Sequence, residues 1–123
     1  MPDANFVLLY VDRPVVSAGF YADLLGRPPV ESSPTFAMFE MAPGVNLGLW
    51  GRHGVEPPAA AGPGGSEIAF ALPDADAVRA AHEDWRGRGL EIAQAPTEMD
   101  FGYTFVALDP DGHRLRVFAP TAP

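Results

Sequence analysis

Apolar and polar positions along this chain fall into two similar passages, and the first begins close to the N-terminus. Residues 6–11 form an apolar run without a turn-forming residue, which is typical of a buried strand. Asp12 then offers an N-cap and Pro14 a first-turn proline for a helix. Apolar residues recur at helical spacing until Gly26, where we expect the helix to end.

Two further strands are predicted after this helix, at residues 35–41 and 45–49, on either side of an Ala-Pro-Gly turn. The first of them is apolar on both faces, which leaves both deep burial and a subunit contact open. Residues 51–65 are rich in Gly, Pro and Ala, so they are interpreted as a linker or surface loop.

The second passage repeats the order of the first. An apolar strand over residues 67–72 leads through Asp74 into a helix, on which Val78, Ala81 and Trp85 share one face and which closes at Gly87 and Gly89. Further strands are predicted at residues 90–93, 103–108 and 114–118. The chain therefore predicts one domain over residues 1–123 with an α+β fold and a mixed sheet. Its parts are module 1 (about 5–50), a linker (51–65) and module 2 (about 66–119), each module a β-α-β-β-β unit.

Alternation along three strands separates a bulky face from a face of small, polar and charged residues. The bulky face should meet a helix, and the other face should line a space. We therefore expect Trp50, Glu67 and Arg116 to point into one cavity. The residues of the second face are Asn46, Gly48, Trp50, Glu67, Ala69, Ala71, Arg114, Arg116 and Phe118.

Composition removes several classes of function. With 123 residues, 47% of them hydrophobic, the chain can build an ordinary core, and the absence of cysteine and lysine excludes disulfides, thiol catalysis and lysine Schiff bases. A formal net charge of −8 argues against nucleic-acid binding and against an anionic membrane. The N-terminus shows no basic, apolar leader, and no run reaches membrane-span length, so we expect a cytoplasmic protein.

Three segments together point to a known family: Val11-Asp12, the helix residues 20–26, and an Asp-Pro-Asp-Gly turn at 109–112. Through them the chain resembles the glyoxalase/bleomycin-resistance/dioxygenase group, the vicinal oxygen chelate superfamily, over almost its whole length. The resemblance implies two paired βαβββ modules that form a curved mixed sheet around a cavity, with the helices outside. Residues 48–50, 66–68 and 101–105 are similar to those of phenazine-binding antibiotic-resistance proteins within that group.

The resemblance also bears on metal binding, because metal-dependent members of the superfamily place ligands at four positions. Here those positions hold Asn5, Gly48 (Leu47 if the alignment shifts by one), Glu67 and Arg116. Only Glu67 is a good ligand, and a guanidinium cannot bind a divalent cation. We therefore expect no metal and no other cofactor. The favoured function is a metal-free binding protein that sequesters a planar aromatic compound or antibiotic, and we expect no catalytic residue.

Six residues are candidates for contact with this ligand, and five of them have a structural alternative. Glu67 and Arg116 form either a ligand clamp or a structural ion pair, and Trp50 is either a stacking platform or a sheet-packing residue. Phe101 and Tyr103 either line the cavity or belong to the core. The full set is Trp50, Glu67, Arg116, Asn46, Phe101 and Tyr103.

Two other functions remain open at this level. One is a metal-dependent lyase or dioxygenase of the same fold that recruits its metal through Glu67. The other is a relative in fold alone, which acts as a subunit or regulator. We also expect a homodimer, since members of the superfamily commonly pair and a short chain buries a limited share of its own surface.

Overall fold

The computed structural model describes residues 4–121 and has an α+β fold. The chain divides into two compact units between Gly62 and Pro63, and each unit holds a four-stranded mixed sheet and one long helix. The N-terminal unit contains module 1 and the C-terminal unit contains module 2. Both modules follow the predicted order of one strand, one helix and three strands.

The elements of module 1 are β1 (Phe6–Val11), α1 (Pro14–Leu25), β2 (Glu31–Ser32), β3 (Phe36–Ala42) and β4 (Val45–Gly51). Its sheet has the order β1-β4-β3-β2, with β1 parallel to β4 and the other neighbours antiparallel. Helix α1 packs on β3 and β4 and buries Ser17, Ala18 and Tyr21 against them. On that side of the sheet the central residues of β3 and β4 are buried in the alternation that the sequence predicts, namely Ala37, Phe39, Leu47 and Leu49.

Of the two predicted ends of helix α1, the structure confirms the C-terminal end only. The backbone N–H groups of Gly26 and Arg27 both donate to the carbonyl of Ala22, and Gly26 has φ of 69°, so the predicted end is confirmed. The predicted N-cap, Asp12, was wrong. Arg13 occupies that position without a side-chain cap, because the chain turns one residue later than expected, into Pro14.

The elements of module 2 are β5 (Glu67–Ala71), α2 (Ala75–Gly87), β6 (Glu91–Met99), β7 (Gly102–Leu108) and β8 (Arg114–Pro120). Its sheet has the order β5-β8-β7-β6, again with the first two strands parallel. Asp74 accepts a hydrogen bond from the backbone N–H of Ala77 at 2.8 Å, which confirms it as the helix N-cap. Trp85 is partly buried and packs edge-to-face on Phe70 and Phe105, at 5.8 and 5.5 Å between ring centroids, which confirms that it packs against the core of the module.

Three local features differ from the sequence prediction. The β-α-β-β-β prediction for module 1 assigned no residues to strand β2, and a short 3-10 turn at Arg52–Gly54 lies inside the predicted linker. Strand β6 runs six residues beyond residue 93, through Pro96, to Met99. Its edge position tolerates a proline, because the missing N–H is not needed by a second neighbour. Neither helix within residues 4–121 combines the length and apolar character needed to cross a membrane.

Candidate functional site

Arg116 is the centre of a polar cluster on the face of the module 2 sheet opposite α2. Strand alternation places it there, since its neighbours Leu115 and Val117 are buried on the helix side. Its Nε donates to a carboxylate oxygen of Glu67 on β5, which forms an ion pair. Its Nη1 donates to Thr104 Oγ1 at 3.1 Å, with a longer contact of 3.5 Å to Gln94 Oε1.

The packing around Arg116 holds its guanidinium in one orientation. Thr104 is fully buried and uses its own proton to donate to the carbonyl of Val117 at 2.9 Å, so its oxygen is turned to accept from Arg116. The guanidinium carbon lies 5.5 Å from the ring centroid of Phe101, within cation–π range. Phe101 in turn packs edge-to-face on Phe118 at 6.0 Å. The Arg116 side chain is consequently only 16% exposed.

A tight turn between β7 and β8 fixes the register that brings these residues together. One carboxylate oxygen of Asp109 accepts from the backbone N–H groups of Asp111, at 2.9 Å, and His113, at 2.8 Å. The turn holds β7 and β8 in a register in which Val106 faces Arg116 and Thr104 faces Phe118. The Asp-Pro-Asp-Gly segment thus positions the cluster without contributing to it.

Tyr103 does not join this cluster. It packs against the core cluster on the α2 side of the sheet, and the guanidinium carbon of Arg79 lies 5.2 Å from its ring centroid. The physical reason is alternation along β7: Phe105 is in the core, so Tyr103 shares its side and Thr104 takes the opposite one. The two-residue alternation along β7 would have placed Thr104 on the Arg116 side of the sheet from the sequence alone. Gln94 could not be placed in this way, because it follows a register shift in β6 that the sequence does not indicate.

Module 1 presents a different surface on the sheet face opposite α1, which we call the aromatic face. Trp50 lies beside Phe36 and Tyr10 on the neighbouring strands and contacts the Tyr10 ring edge-on at 6.3 Å. Residues of β1 on this face are well exposed, with 46% for Phe6, 45% for Leu8 and 40% for Tyr10. The aromatic face comprises Phe6, Leu8, Tyr10, Phe36, Met38, Asn46, Gly48 and Trp50.

Gly48 lies near the middle of the aromatic face. A Cβ at this position would lie 2.6 Å from Leu8 Cδ2 and 3.1 Å from the Phe36 ring, so these two side chains close over the glycine. The space expected beside the indole is thus occupied at this point. Asn46 is half-buried two residues away, in register with Phe6 and Glu40.

The four positions expected for metal ligands do not fit a metal ion. Gly48 has no donor side chain, Leu47 is 1% exposed on the helix side, and Arg116 is a cation paired with Glu67. No group of three or more His, Asp or Glu side chains in residues 4–121 could hold a metal. One carboxylate already bound to a guanidinium is a poor partner for a divalent cation, which needs several hard donors.

At the end of β4, His53 in the 3-10 turn contacts Asp12, at 3.0 Å between Nε2 and Oδ1. This hydrogen bond lowers the pKa of Asp12, with further contributions from the charges of His53, Arg13 and Arg52. Both side chains are largely exposed, at 75% and 57%, so the contact joins two chain segments at the surface. Asp12, the predicted helix cap, and His53, in the predicted linker, therefore contact each other.

Comparisons with known proteins place the whole chain in one group. A family model described as the glyoxalase/bleomycin resistance protein/dioxygenase superfamily matches residues 4–117. The phenazine antibiotic resistance protein EhpR of Enterobacter agglomerans is 31% identical over 116 residues, which cover 92% of this chain and 88% of that protein.

Solved structures similar to this chain have the same fold. A protein from Agrobacterium tumefaciens, solved by solution NMR, is 49% identical and superposes with a TM-score of 0.90, covering 99% of this chain and 100% of that one. A glyoxalase/bleomycin resistance protein/dioxygenase from Nocardioides is 29% identical, with a TM-score of 0.81 and coverage of 98% and 84%.

Proposed function

The chain belongs to the glyoxalase/bleomycin resistance protein/dioxygenase superfamily, and we propose that it binds a planar aromatic compound without a metal and lowers the free concentration of that compound. The observation that carries the proposal is the ion pair between Arg116 and Glu67. At the position where metal-dependent relatives are expected to place a carboxylate ligand, this chain has a cation that occupies the remaining carboxylate. A site of this composition favours hydrogen bonding and stacking over Lewis-acid chemistry.

The aromatic face supports the chemical class of the ligand. Trp50, Tyr10 and Phe36 lie on adjacent strands, and offset or edge-on contact with a ligand ring adds about 0.5–1.5 kcal/mol to area burial. Exposed apolar surface of this kind in a folded protein commonly marks a binding site. The similarity to a phenazine antibiotic resistance protein suggests a fused, nitrogen-containing ring system as the first compound to test.

We propose ligand-contacting residues for each module separately: Trp50 and Asn46 on the aromatic face of module 1, and Arg116, Glu67 and Phe101 in the cluster of module 2. Trp50 provides a stacking surface in module 1, and Phe101, which is 43% exposed beside Arg116, provides an apolar contact in module 2. Asn46 is a hydrogen-bonding side chain on a largely apolar face, where it lies in register with Glu40. Tyr103 is left out, because its ring belongs to the α2 side of the sheet.

Fluorescence titration with phenazine tests the proposal, since the chain has two tryptophans in contrasting places. Trp85→Phe leaves Trp50 as the only indole, and we expect saturable quenching of its emission. Trp50→Phe leaves only the core indole of Trp85, and quenching should largely disappear. Elemental analysis of the dialysed protein accompanies the titration. Stoichiometric tightly bound transition metal, with activity lost on chelation, would contradict the metal-free function and favour a lyase or dioxygenase.

A homodimer is part of the same proposal. Large apolar side chains of β1 remain exposed. Strand β3, for which the sequence leaves a subunit contact open, buries only its α1 side and leaves Phe36 and Met38 half-buried on the aromatic face. A second copy would reduce this exposure. Light scattering at micromolar concentration should give twice the 13.1 kDa chain mass, and a monomeric mass would contradict it.

A further inference from the structure

The Arg116 cluster has hydrogen-bonding capacity that the protein does not use. A guanidinium carries five N–H donors. Nε donates to Glu67, and Nη1 donates to Thr104 and Gln94, but no residue within 4–121 accepts from Nη2. No fully buried side-chain nitrogen or oxygen in this part of the chain lacks a partner, so Nη2 is not fully buried and keeps contact with solvent. The cluster therefore presents an accessible donor edge on a side chain that is otherwise held in place.

The charges around this donor edge are balanced. Glu67 neutralises Arg116 through direct contact, while Thr104 and Gln94 are uncharged. Two residues along β8 on the same face, Arg114 lies beside Glu67 on β5. The same line of cross-strand neighbours continues through β7 and ends at Glu91 on β6. The face thus carries two arginines and two glutamates, within a chain of net charge −8.

We propose that the aromatic ligand carries an uncharged hydrogen-bond acceptor, such as a carboxamide or ring carbonyl, which binds Nη2 of Arg116. This inference rests on the proposed function and specifies the ligand class. A ligand carboxylate would approach a guanidinium whose charge is already offset, and it would lie close to the carboxylate of Glu67. Like charges at such a distance in a partly buried site repel strongly. A neutral acceptor takes the free N–H donors without that repulsion.

Phenazine-1-carboxamide and phenazine-1-carboxylate form a matched pair of probes, since they share shape and differ in charge at neutral pH. Calorimetric titration of the wild-type chain should give a dissociation constant about tenfold or more lower for the carboxamide, a difference of roughly 1.4 kcal/mol. Equal affinity, or tighter binding of the carboxylate, would overturn the inference and leave the proposed function standing. If neither compound binds, both the inference and the proposed function are overturned.

Variants of the cluster test the cause of the preference. Glu67→Gln keeps an acceptor for Nε but removes the balancing charge, so the preference should fall about tenfold or reverse. Glu98→Gln is the matched control, because it removes the same charge on the α2 side of β6, opposite Tyr103, and should leave the ratio unchanged. Arg116→Lys keeps the cation but has no Nη2, so carboxamide affinity should fall. If Glu67→Gln and Glu98→Gln change the ratio of the two dissociation constants equally, the net charge of the protein sets the preference. The Arg116 cluster would then not be its cause, which would overturn the inference.

Discussion

The two modules share one topology but carry different chemistry on the sheet face that their helix does not cover. In module 1 this face is formed mainly by aromatic and aliphatic side chains around Gly48. In module 2 it is formed by an ion pair and a hydrogen-bonded network around Arg116. The helix-facing sides are alike, since both are rows of buried apolar residues. Burial against a helix constrains one side of each sheet to be apolar, and the opposite side is free to diverge.

The helices differ in the same way. Helix α1 carries one charged residue, Asp23, and exposes Val15 at 64% and Val16 at 44%. Helix α2 has a charged outer face with ion pairs such as Arg79–Asp76 and Arg88–Asp84. Exposed pairs of this kind add little stability, so their main effect is a polar surface. Module 1 therefore exposes apolar surface on both its helix and its sheet, whereas module 2 restricts it to a few residues near Phe101.

The largest expected effect comes from Gly102 in module 2, and Gly48 in module 1 is its comparison. Gly102 has φ of 153°, and a Cβ there would overlap the backbone oxygen of Ala119, which cannot move away. Gly102→Ala should therefore lower the free energy of unfolding by about 3 kcal/mol or more. Gly48→Ala in module 1 meets the flexible side chain of Leu8, so it should cost about 1 kcal/mol. Chemical denaturation measures both, and equal losses would contradict the difference.

The two tryptophans separate stability from binding. Trp85→Ala removes a ring from the module 2 core and should cost about 3 kcal/mol of unfolding free energy. Trp50→Ala should cost less stability but weaken the binding of aromatic ligands by about 1–3 kcal/mol, or roughly ten- to a hundredfold in dissociation constant. Trp50→Phe keeps an aromatic ring and should weaken binding less. Trp85→Phe should leave affinity nearly unchanged. Affinity that follows Trp85 and ignores Trp50 would mean that the ligand face has been misassigned.

A polar residue on each face provides a finer comparison. Thr104→Val removes the acceptor for Arg116 and the donor to the Val117 carbonyl in a fully buried position, so it should cost about 1 kcal/mol. Asn46→Leu in module 1 lies on the largely apolar face and should change the unfolding free energy by less than about 0.5 kcal/mol. Thermal denaturation of both variants distinguishes a structural polar network from a tolerant surface. A greater loss for the Asn46 variant would reverse this assignment.

The smallest effect is expected at Asp12, whose pKa is lowered by the hydrogen bond with His53. The folded chain holds this proton less tightly than the unfolded chain, whose carboxyl has the ordinary value of 3.8. The stabilising contribution should therefore be complete above that value and disappear as pH falls through the lowered pKa. Melting temperatures of wild type and Asp12→Asn should differ slightly at neutral pH and converge in acid. A difference that persists unchanged in acid would exclude the carboxylate as its cause.

Much of the fold was predictable from local signals. The Gly26 end of α1, the Asp74 cap of α2 and the Asp109 turn all follow from residue types that need particular backbone or capping geometry. Strand alternation predicted the face of Glu67 and Arg116, and their ion pair is present. Strand β2 and the extension of β6 carry no comparable pattern, because their pairing depends on the neighbouring strand.

The sequence by itself determined the order of elements, the apolar side of each sheet and the mismatch between Arg116 and a metal ligand. These follow from periodicity and from the chemistry of single side chains, which do not require knowledge of distant neighbours. Only the tertiary structure decided that Thr104 and Gln94 hold the guanidinium, that Tyr103 lies on the other side, and that Leu8 and Phe36 close over Gly48. Contacts of this kind depend on strand register and side-chain packing between residues far apart in the chain, and local residue preferences do not specify them.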